Sequence, residues 1–583
     1  MMSRTPSSNQ RYVITFNGEI YNYLELNARL AQLGIAIQSH SDTETILAMY
    51  EAFGEDCLQY LRGMFAFVIW DRVERKLFAA RDRFGQKPLL YAKVGEQWVF
   101  ASELKGILAS GLVARKLCLQ AVDELFETGS VMQPHTIVEG VFALMPAHAL
   151  VLQDGKEKMW RYWAPNFQPT NGKAPAYNDA KAELRARFIE TVRQHLISDV
   201  PLGVFLSGGV DSSLIVAIMR TLGQETKTYS IGFDVGGSAY NETSFAKQVA
   251  KRYGTIHTEI VLSEHDISKD LEHLVEGIDQ PSHDGMNTYF VSKFARQYVT
   301  VALSGLGSDE LFGGYTLFKF AQRLLAFQRI TKHIPKIVQD AAVRLNEAVP
   351  AGIQENWTWR GVVGLLGAYR TASQIYAIRT ITPKPLRQDL LQDHLPQHTT
   401  AASDKRCATL TESLGATDLI QTLSFLELSC YMLNTLLRDT DATSMAHSLE
   451  VRVPFLDHIF ADYVTSLPAS YKIDAATKNI GKKILIDAFS DLLPKEIVYR
   501  KKMGFVFPLA AFMRKGRFRE LIQDTLSEQA VRRRGLLNPD AVAKLKREFF
   551  ASDDISTQQY RLHTRLWIAT LLELWLRRFQ VSC

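Results

Sequence analysis

A glycine-rich turn between an apolar run and an amphipathic segment constrains this chain more than any other feature. The turn reads Ser207-Gly208-Gly209-Val210-Asp211-Ser212-Ser213. The run Val200–Leu206 before it is typical of a buried strand, and Asp211–Arg220 after it is typical of a helix. A strand, a glycine turn and a helix in this order bring backbone N–H groups and a helix N-terminus to one point. The sequence therefore predicts a pyrophosphate-binding loop.

Each residue type in this turn has a chemical reason. Gly208 and Gly209 permit close approach of the backbone to a ligand, and the hydroxyls of Ser207, Ser212 and Ser213 add hydrogen-bond donors. Asp211 would repel phosphate unless a divalent cation intervened, so we interpret it as a Mg²⁺ ligand. The turn is not a Walker A loop, since no Gly-Lys-Ser/Thr follows. The alternative is a tight turn with a purely structural role.

A second glycine-rich segment, Ser304–Tyr315, also follows a predicted strand, Val299–Ser304. Asp309 within it is placed to give the same Mg²⁺ a second carboxylate. Strands alternate with helices here, which predicts a parallel, doubly wound α/β sheet with ligands beyond the carboxyl ends of its strands. Other elements of this pattern are the strands Thr228–Phe233 and Thr258–Leu262 and the helix Glu242–Arg252. From Phe318 onward the pattern is mostly helical, ending with Thr564–Phe579.

Two further segments carry charge at unusual density. Asp441–Asp457 interleaves charged and apolar residues, and its composition favours a helix N-cap and a buried salt-bridge network. Lys482, in Lys482-Lys483-Ile484-Leu485, could reach phosphate oxygens, although a single lysine on a helix is usually only solvated.

The first part of the chain has a different rhythm, with short strands and two helices, Tyr23–Leu33 and Thr43–Phe53. We expect a layered sheet domain over residues 1–165, a linker over 166–180 rich in Pro, Asn and Gly, and a second domain over 181–583. The strands are expected at Tyr12–Phe16, Gly63–Trp70, Lys76–Arg81, Pro88–Val94 and Trp98–Ala101, with a further pair in Val141–Leu152.

Composition excludes several classes of protein. Hydrophobic residues make up 46% and charged residues 22% of the 583 residues, which is ordinary for globular domains. The net charge of +5 is small for this length, so we expect no nucleic-acid partner and interpret clusters such as Arg532–Arg534 and the lysines near position 500 as solvated helix faces. The apolar runs are too short for a membrane span, and the N-terminus lacks a signal-peptide core. Five scattered cysteines favour a reduced, cytoplasmic protein.

These segments, in this order, resemble the glutamine-dependent asparagine synthetase family over nearly the whole chain. The resemblance extends to Gly504-Phe505 through Pro508. It implies an ATP pyrophosphatase-type synthetase domain that uses ATP and Mg²⁺, with Asp211 and Asp309 as metal ligands. It also implies that Lys482 is catalytic. The residues that it implies for the adenosine site are Leu206, Ile231, Ser304 and Gly305.

The first domain resembles the family's glutaminase domain, an N-terminal-nucleophile (Ntn) fold with αββα layers. In Asn17-Gly18-Glu19-Ile20-Tyr21-Asn22, the resemblance makes the Asn17 side chain and the Gly18 N–H the oxyanion hole. Such donors are worth about 3–4 kcal/mol each. Glu19 and Asp42 are similar to glutamine-binding positions. The segment Arg81–Gly85 is similar to family sequence with a mainly structural role.

The start of the chain departs from the family. The family's N-terminal nucleophile is a cysteine, whereas this sequence opens Met1-Met2-Ser3 and its first cysteine is Cys57. Ser3 and Thr5 are poor substitutes, because no strand-like sequence follows them. We therefore expect an incomplete glutaminase-like domain without glutaminase activity, and ammonia as the nitrogen donor. A misassigned start, a truncated gene and a genuinely ammonia-dependent enzyme remain open, and a missing edge strand predicts poor solubility.

Two positions depart from the family pattern and leave the identity of the carboxylate substrate open. Leu306 lies where asparagine-forming members often carry Glu, and Ile486 where an Arg is usual. The expected function is ATP-dependent amidation of a carboxylate, aspartate above others, through an acyl-adenylate that releases AMP and pyrophosphate. The alternatives are amidation of another carboxylate, such as a sugar acid or a secondary metabolite, and a non-catalytic partner-binding relative. The expected partners are small molecules, namely the carboxylate and ammonia or glutamine, and a homodimer is left open.

Overall fold

The structure is a computed structural model of the 583-residue chain. It describes residues 11–168, 172–234, 242–331, 334–349, 357–366, 369, 371–392, 402–412, 414, 417–473, 481–500, 507–551 and 557–583. The expectations for Ser3 and Thr5, and for Gly504 and Phe505, lie outside the described residues. The mixed α/β class predicted from the sequence is confirmed.

Thirteen strands are present in the described residues. They are β1 Tyr12–Ile20, β2 Gly63–Asp71, β3 Lys76–Arg81, β4 Leu90–Val94, β5 Gln97–Ala101, β6 Val141–Ala143, β7 His148–Gln153, β8 Lys156–Arg161, β9 Leu202–Phe205, β10 Lys227–Phe233, β11 Ile256–Leu262, β12 Val301–Leu303 and β13 Glu450–Arg452.

The α-helices up to residue 348 are Tyr23–Gln32, Asp42–Phe53, Leu104–Ala109, Leu119–Thr128, Tyr177–His195, Val210–Thr221, Thr243–Tyr253, Glu264–Gly277, Met286–Ala295, Ser308–Phe312, Thr316–Thr331 and Lys336–Ala348. The later ones are Trp357–Leu365, Ala372–Tyr376, Lys384–Leu390, Ala402–Glu412, Leu419–Leu426, Arg438–Met445, His458–Ser466, Ala469–Lys472, Lys483–Ala488, Lys495–Val498, Leu509–Met513, Gly516–Thr525, Glu528–Arg534, Pro539–Phe550 and Thr557–Phe579. Short 3₁₀ turns cover Gly54–Gln59, Ala377–Arg379 and Pro454–Leu456, and Glu427–Leu437 is a π-helix.

The first part of the chain builds two packed antiparallel sheets. One has the strand order β1-β2-β3-β7-β8 and the other the order β5-β4-β6. Side chains of β2 alternate: Phe65 and Phe67 pack beneath the first two helices, whereas Ala66 and Val68 point between the sheets. On the far side, the helices Leu104–Ala109 and Leu119–Thr128 share a core with β4 and β6. The order of layers is thus helices, sheet, sheet, helices.

The third sheet is parallel throughout its five strands, in the order β11-β10-β9-β12-β13. One core includes side chains of the helices Tyr177–His195, Val210–Thr221 and Thr243–Tyr253. The other includes those of Glu264–Gly277 and Met286–Ala295 and of the C-terminal helices. Helices therefore cover both faces of the sheet, and the loops that follow β9 and β12 emerge side by side because these strands are neighbours.

Three local features differ from the sequence expectations. The helix Tyr177–His195 begins inside the segment predicted as linker, and β8 was not predicted. The segment Asp441–Asp457 contains a strand, β13, which pairs with β12. Its predicted N-cap and buried ion pairs are confirmed: Asp457 accepts from the N–H groups of Ile459 and Phe460. Both ion pairs reach into the first part of the chain, Asp457 to Arg62 at 2.6 Å and Asp441 to Lys87 at 2.8 Å.

None of the described helices is long and apolar enough to cross a membrane.

Candidate functional site

The loops after β9 and β12 approach each other closely at the carboxyl edge of the parallel sheet. A Cβ atom at Gly305 would lie 2.8 Å from Cβ of Asp211, so only glycine fits there without movement. Gly208 has φ +68°, and a Cβ on it would lie 2.6 Å from the backbone nitrogen of Ala246. These two glycines bring the first turn against the second loop and against the helix Thr243–Tyr253.

Three charged groups meet where these loops join. Nζ of Lys482 lies 2.6 Å from Oδ2 of Asp211 and 2.6 Å from Oδ1 of Asp309. The hydroxyl of Ser308 donates to Oδ1 of Asp211 at 2.7 Å. Burial alone would lower the pKa of Lys482, but the two carboxylates outweigh it and raise that pKa above its usual value. Lys482 is therefore protonated at neutral pH, and the cluster of one lysine and two carboxylates carries a net negative charge. We call Asp211, Asp309 and Lys482 the charged triad.

The backbone conformation around Lys482 allows its side chain to reach Asp211 and Asp309. Lys482 has φ +60°, a conformation that costs a non-glycine residue about 1–3 kcal/mol. Its N–H donates to the carbonyl of Phe312 at 2.9 Å. A Cβ atom on Gly481 would lie 2.5 Å from the carbonyl oxygen of Gly313, and one on Gly314 would lie 1.8 Å from Oδ1 of Asp309. The glycines at the end of the second loop thus make room for the segment that contains Lys482.

A cavity of about 590 Å³ opens beside the charged triad. This lies within the range of about 300–1,000 Å³ that is usual for small-molecule sites. Gly208 and Ser213 do not line it: Gly208 forms the turn, and the Ser213 side chain is fully buried in the helix. The other residues predicted for ATP, metal and catalysis do line it, namely Leu206, Ser207, Gly209, Asp211, Ser212, Ile231, Ser304, Gly305, Asp309 and Lys482.

The residues predicted for glutamine lie on or beside β1. The Asn17 side-chain amide donates to the hydroxyl of Ser102 at 3.1 Å. Asp42 accepts from the N–H of Ile20 at 2.9 Å. Burial raises the pKa of Glu19 to about 7, although the nearby Arg452 opposes this. Gly18 has φ +145°, and a Cβ atom there would lie 2.1 Å from the carbonyl oxygen of Met64, so the glycine is needed for the pairing of β1 with β2.

Sequence reasoning missed two arginines. Arg452 on β13 is buried, and its Nη2 lies 3.3 Å from Oε2 of Glu19. Arg500 lines the cavity beside the first turn and forms an ion pair with Glu242 at 2.7 Å. The alternation Glu450-Val451-Arg452 could have indicated a short strand. Nothing in the sequence near Arg500 distinguishes it from a solvated basic residue.

Comparison with known proteins assigns both parts of the chain. The sequence model of the family described as "Asparagine synthase" matches residues 183–577, and that of the "Glutamine amidotransferase domain" matches residues 3–163. Asparagine synthetase [glutamine-hydrolyzing] 1 of Bacillus subtilis is 33% identical over 89% of this chain and 79% of its own length. Asparagine synthetase [glutamine-hydrolyzing] 3 of the same organism is 32% identical over 85% of this chain and 75% of its own. Amidase chry2 of Gibberella zeae is 27% identical over 84% of this chain and 76% of its own.

A parallel sheet within the part of the chain that matches "Asparagine synthase", preceded by a part that matches a glutamine amidotransferase domain, defines a ligase. The chain belongs to the asparagine synthetase family.

Proposed function

We propose that this protein forms an amide from a carboxylate, with aspartate as the principal substrate and ATP as the activating reagent. The observation that carries the proposal is the charged triad. Its three residues lie where the two glycine-rich loops meet, and they line a cavity of about 590 Å³. Two of the three named relatives are asparagine synthetases, which supports aspartate as the first substrate to test.

In the first step, an oxygen of the substrate carboxylate attacks the α-phosphorus of ATP. The bond from that phosphorus to the bridging oxygen breaks, and pyrophosphate leaves with the electron pair. The product is an acyl-adenylate. The protonated Nζ of Lys482 faces the cavity from the triad and is placed to offset the negative charge that grows on the phosphate oxygens.

The residues present fit a magnesium ion. Mg²⁺ is bound through one or two carboxylates together with substrate phosphates, and Asp211 and Asp309 converge on one point beside the phosphate loop. These two residues would hold it, and the bound ion would neutralise phosphate charge.

In the second step, ammonia attacks the acyl carbon, the bond from that carbon to the AMP oxygen breaks, and the nitrogen loses a proton. AMP and the amide are released. We propose free ammonia as the nitrogen donor. The thiol of Cys57 is fully buried, and burial raises its pKa, so it is not a nucleophile for glutamine.

One observation favours a second substrate class. Leu306 and Ile486 both line the cavity, and each is apolar where the family resemblance leads us to expect a charged side chain. A carboxylate with an apolar body fits these walls as the second candidate.

Pyrophosphate release in the presence of ATP, Mg²⁺ and ammonium tests both candidates. Release that depends on aspartate and yields asparagine supports the first candidate, and release only with a more apolar acid supports the second. Replacing ammonium by glutamine should abolish amide formation while aspartate-dependent adenylation persists. Absence of release with every acid would contradict the proposed function.

A further inference from the structure

A buried guanidinium lies beside the phosphate loop and is not explained by the fold. Arg500 lines the cavity, and its side chain is only 9% exposed. A Cβ atom built on Gly209, in the middle of the loop, would lie 3.7 Å from Nη2 of Arg500. The guanidinium is therefore within reach of any anion that the loop binds.

Two neighbours fix the orientation of this guanidinium. Nη2 donates to Oε1 of Glu242 at 2.7 Å, and the guanidinium carbon lies 4.6 Å from the centre of the Phe245 ring. Glu242 is the N-cap residue of the helix Thr243–Tyr253, and Phe245 lies in the first turn of that helix, where it also contacts the turn at Gly208. An arginine held by a carboxylate and an aromatic face is preorganised, so it loses little side-chain freedom when it binds a ligand.

One terminal nitrogen of the Arg500 guanidinium makes no hydrogen bond within the described residues. Nη1 is buried and has no hydrogen-bond partner in the described part of the chain. A buried donor without a partner costs about 1–3 kcal/mol, or more for a charged group, so a ligand that accepts from it recovers that cost. Since the neighbouring loop is built for phosphate, the fitting acceptor is a phosphate oxygen.

The distribution of charge in the cavity also favours a phosphate group near Arg500. Lys482 is already shared between two carboxylates, so the charged triad is net negative before nucleotide binds. The Arg500–Glu242 pair is neutral as a unit. The end of the loop near Arg500 is thus less negative than the end near the triad, which favours the terminal phosphates of a nucleotide there.

We propose that Arg500 binds the β- and γ-phosphates of ATP, and afterwards the departing pyrophosphate, through its unpartnered Nη1. Glu242 and Phe245 act as positioning residues for the guanidinium. This inference rests on the proposed function, because it takes ATP as the ligand of the loop.

The test is calorimetric binding of three ligands, pyrophosphate, ATP and AMP, each with Mg²⁺, to the full chain and to Arg500→Gln. We expect binding of pyrophosphate and ATP to weaken about 10- to 100-fold, which corresponds to the loss of one charge-assisted hydrogen bond. AMP lacks the β- and γ-phosphates, so its affinity should stay unchanged. Arg500→Lys retains the charge without the planar fork and should lie between the two.

The matched control is Arg514→Gln. The guanidinium of Arg514 also lies 4.6 Å from a phenyl ring, that of Phe549, but Arg514 is not among the described residues that line the cavity. This variant should bind all three ligands like the unaltered chain. If Arg500→Gln fails to fold, by circular dichroism, Arg500→Lys gives the same comparison.

The possible failures are distinguishable. If the unaltered chain binds neither ATP nor pyrophosphate, the proposed function is wrong and the inference falls with it. If the unaltered chain binds both and a folded Arg500 variant binds them equally well, the inference alone is overturned. Equal weakening of AMP and pyrophosphate would also overturn it, because that result would indicate general damage to the site.

Discussion

Arg452 and Glu19 form an ion pair at 3.3 Å that joins the five-stranded antiparallel sheet to the parallel sheet. Glu19 lies on β1, and Arg452 ends β13 of the parallel sheet. The backbone carbonyl of Arg452 accepts from the N–H of Ser304, the first residue of the second glycine-rich loop, at 2.9 Å. One arginine therefore contacts Glu19, a predicted glutamine-binding residue, with its side chain, and with its backbone it contacts Ser304, which lines the proposed nucleotide cavity.

Replacing Arg452 by Met should destabilise the protein. The guanidinium is buried and also donates to the carbonyl of His195 at 2.9 Å and to Glu450 at 2.7 Å. Breaking one side of a buried ion pair costs about 3–5 kcal/mol, because the remaining charge loses its partner. We expect the midpoint of thermal unfolding to fall by several degrees. Lys93→Met is the control, since Lys93 and Glu157 form an exposed pair at 3.9 Å; an equal fall there would contradict a special role for Arg452.

The Glu19 carboxyl should make stability depend on pH. Its pKa rises from an ordinary 4.5 to about 7 in the folded protein, because burial penalises the charged form. Between these values the folded state binds more protons than the unfolded state, so stability falls as pH rises from about 4.5 to 7 and is level above. Glu19→Gln has no carboxyl group to titrate at this position, so it does not show this fall in stability. The unfolding midpoint of Glu19→Gln minus that of the unaltered chain should increase from pH 5 to pH 8. A difference that does not change with pH would contradict the raised pKa of Glu19.

The sequence was sufficient for the elements whose signal is local. The strand, turn and helix around Gly208 were predicted because the apolar run, the glycines and the helical period adjoin one another. The strand β13 was missed because it has three residues and exists only through pairing with β12. A helix N-cap within Asp441–Asp457 was predicted, and Asp457 provides it, but the ion pair of Asp457 with Arg62 bridges residues 395 apart in the chain. No local pattern carries information at that distance.

The same distinction applies to the candidate site. The family resemblance marked Lys482, but its own sequence context indicated a solvated lysine. The side chain reaches Asp211 across 271 residues of sequence, through a left-handed backbone conformation that a lysine rarely adopts. Arg500 was not singled out from the sequence, because its partners Glu242 and Phe245 lie far earlier in the chain.

Adding one methyl group at Gly314 should disable the site. A Cβ atom there would lie 1.8 Å from Oδ1 of Asp309 and 2.7 Å from Cε of Lys482, so the triad must shift. A displacement of about 1 Å in a catalytic group can cost about a hundredfold in rate. We expect Gly314→Ala to lower the rate of pyrophosphate release by about that factor. Gly361→Ala has open space around it and should leave the rate unchanged. Full activity in Gly314→Ala would show that the triad tolerates movement.

Two adjacent lysines offer the sharpest comparison of catalysis with fold. Lys482 lies in the charged triad, whereas Lys483 points the other way and pairs with Asp487 at 2.9 Å and with the hydroxyl of Tyr177 at 2.9 Å. Lys482→Ala should lower turnover in the pyrophosphate-release assay by about 10²–10³ or more, because a charge that stabilises the transition state is lost. Nucleotide affinity, measured by calorimetry, should change little.

Lys483→Ala should leave turnover unchanged and should lower only the unfolding midpoint, slightly, because its pair with Asp487 is partly exposed. The comparison separates a role in the reaction from a role in the helix Lys483–Ala488. Equal turnover in the two variants, with both folded, would remove Lys482 from the chemistry. Removal of Lys482 takes away the ammonium group that lies 2.6 Å from both Asp211 and Asp309, so Mg²⁺ should stabilise Lys482→Ala against thermal unfolding more than it stabilises the unaltered chain.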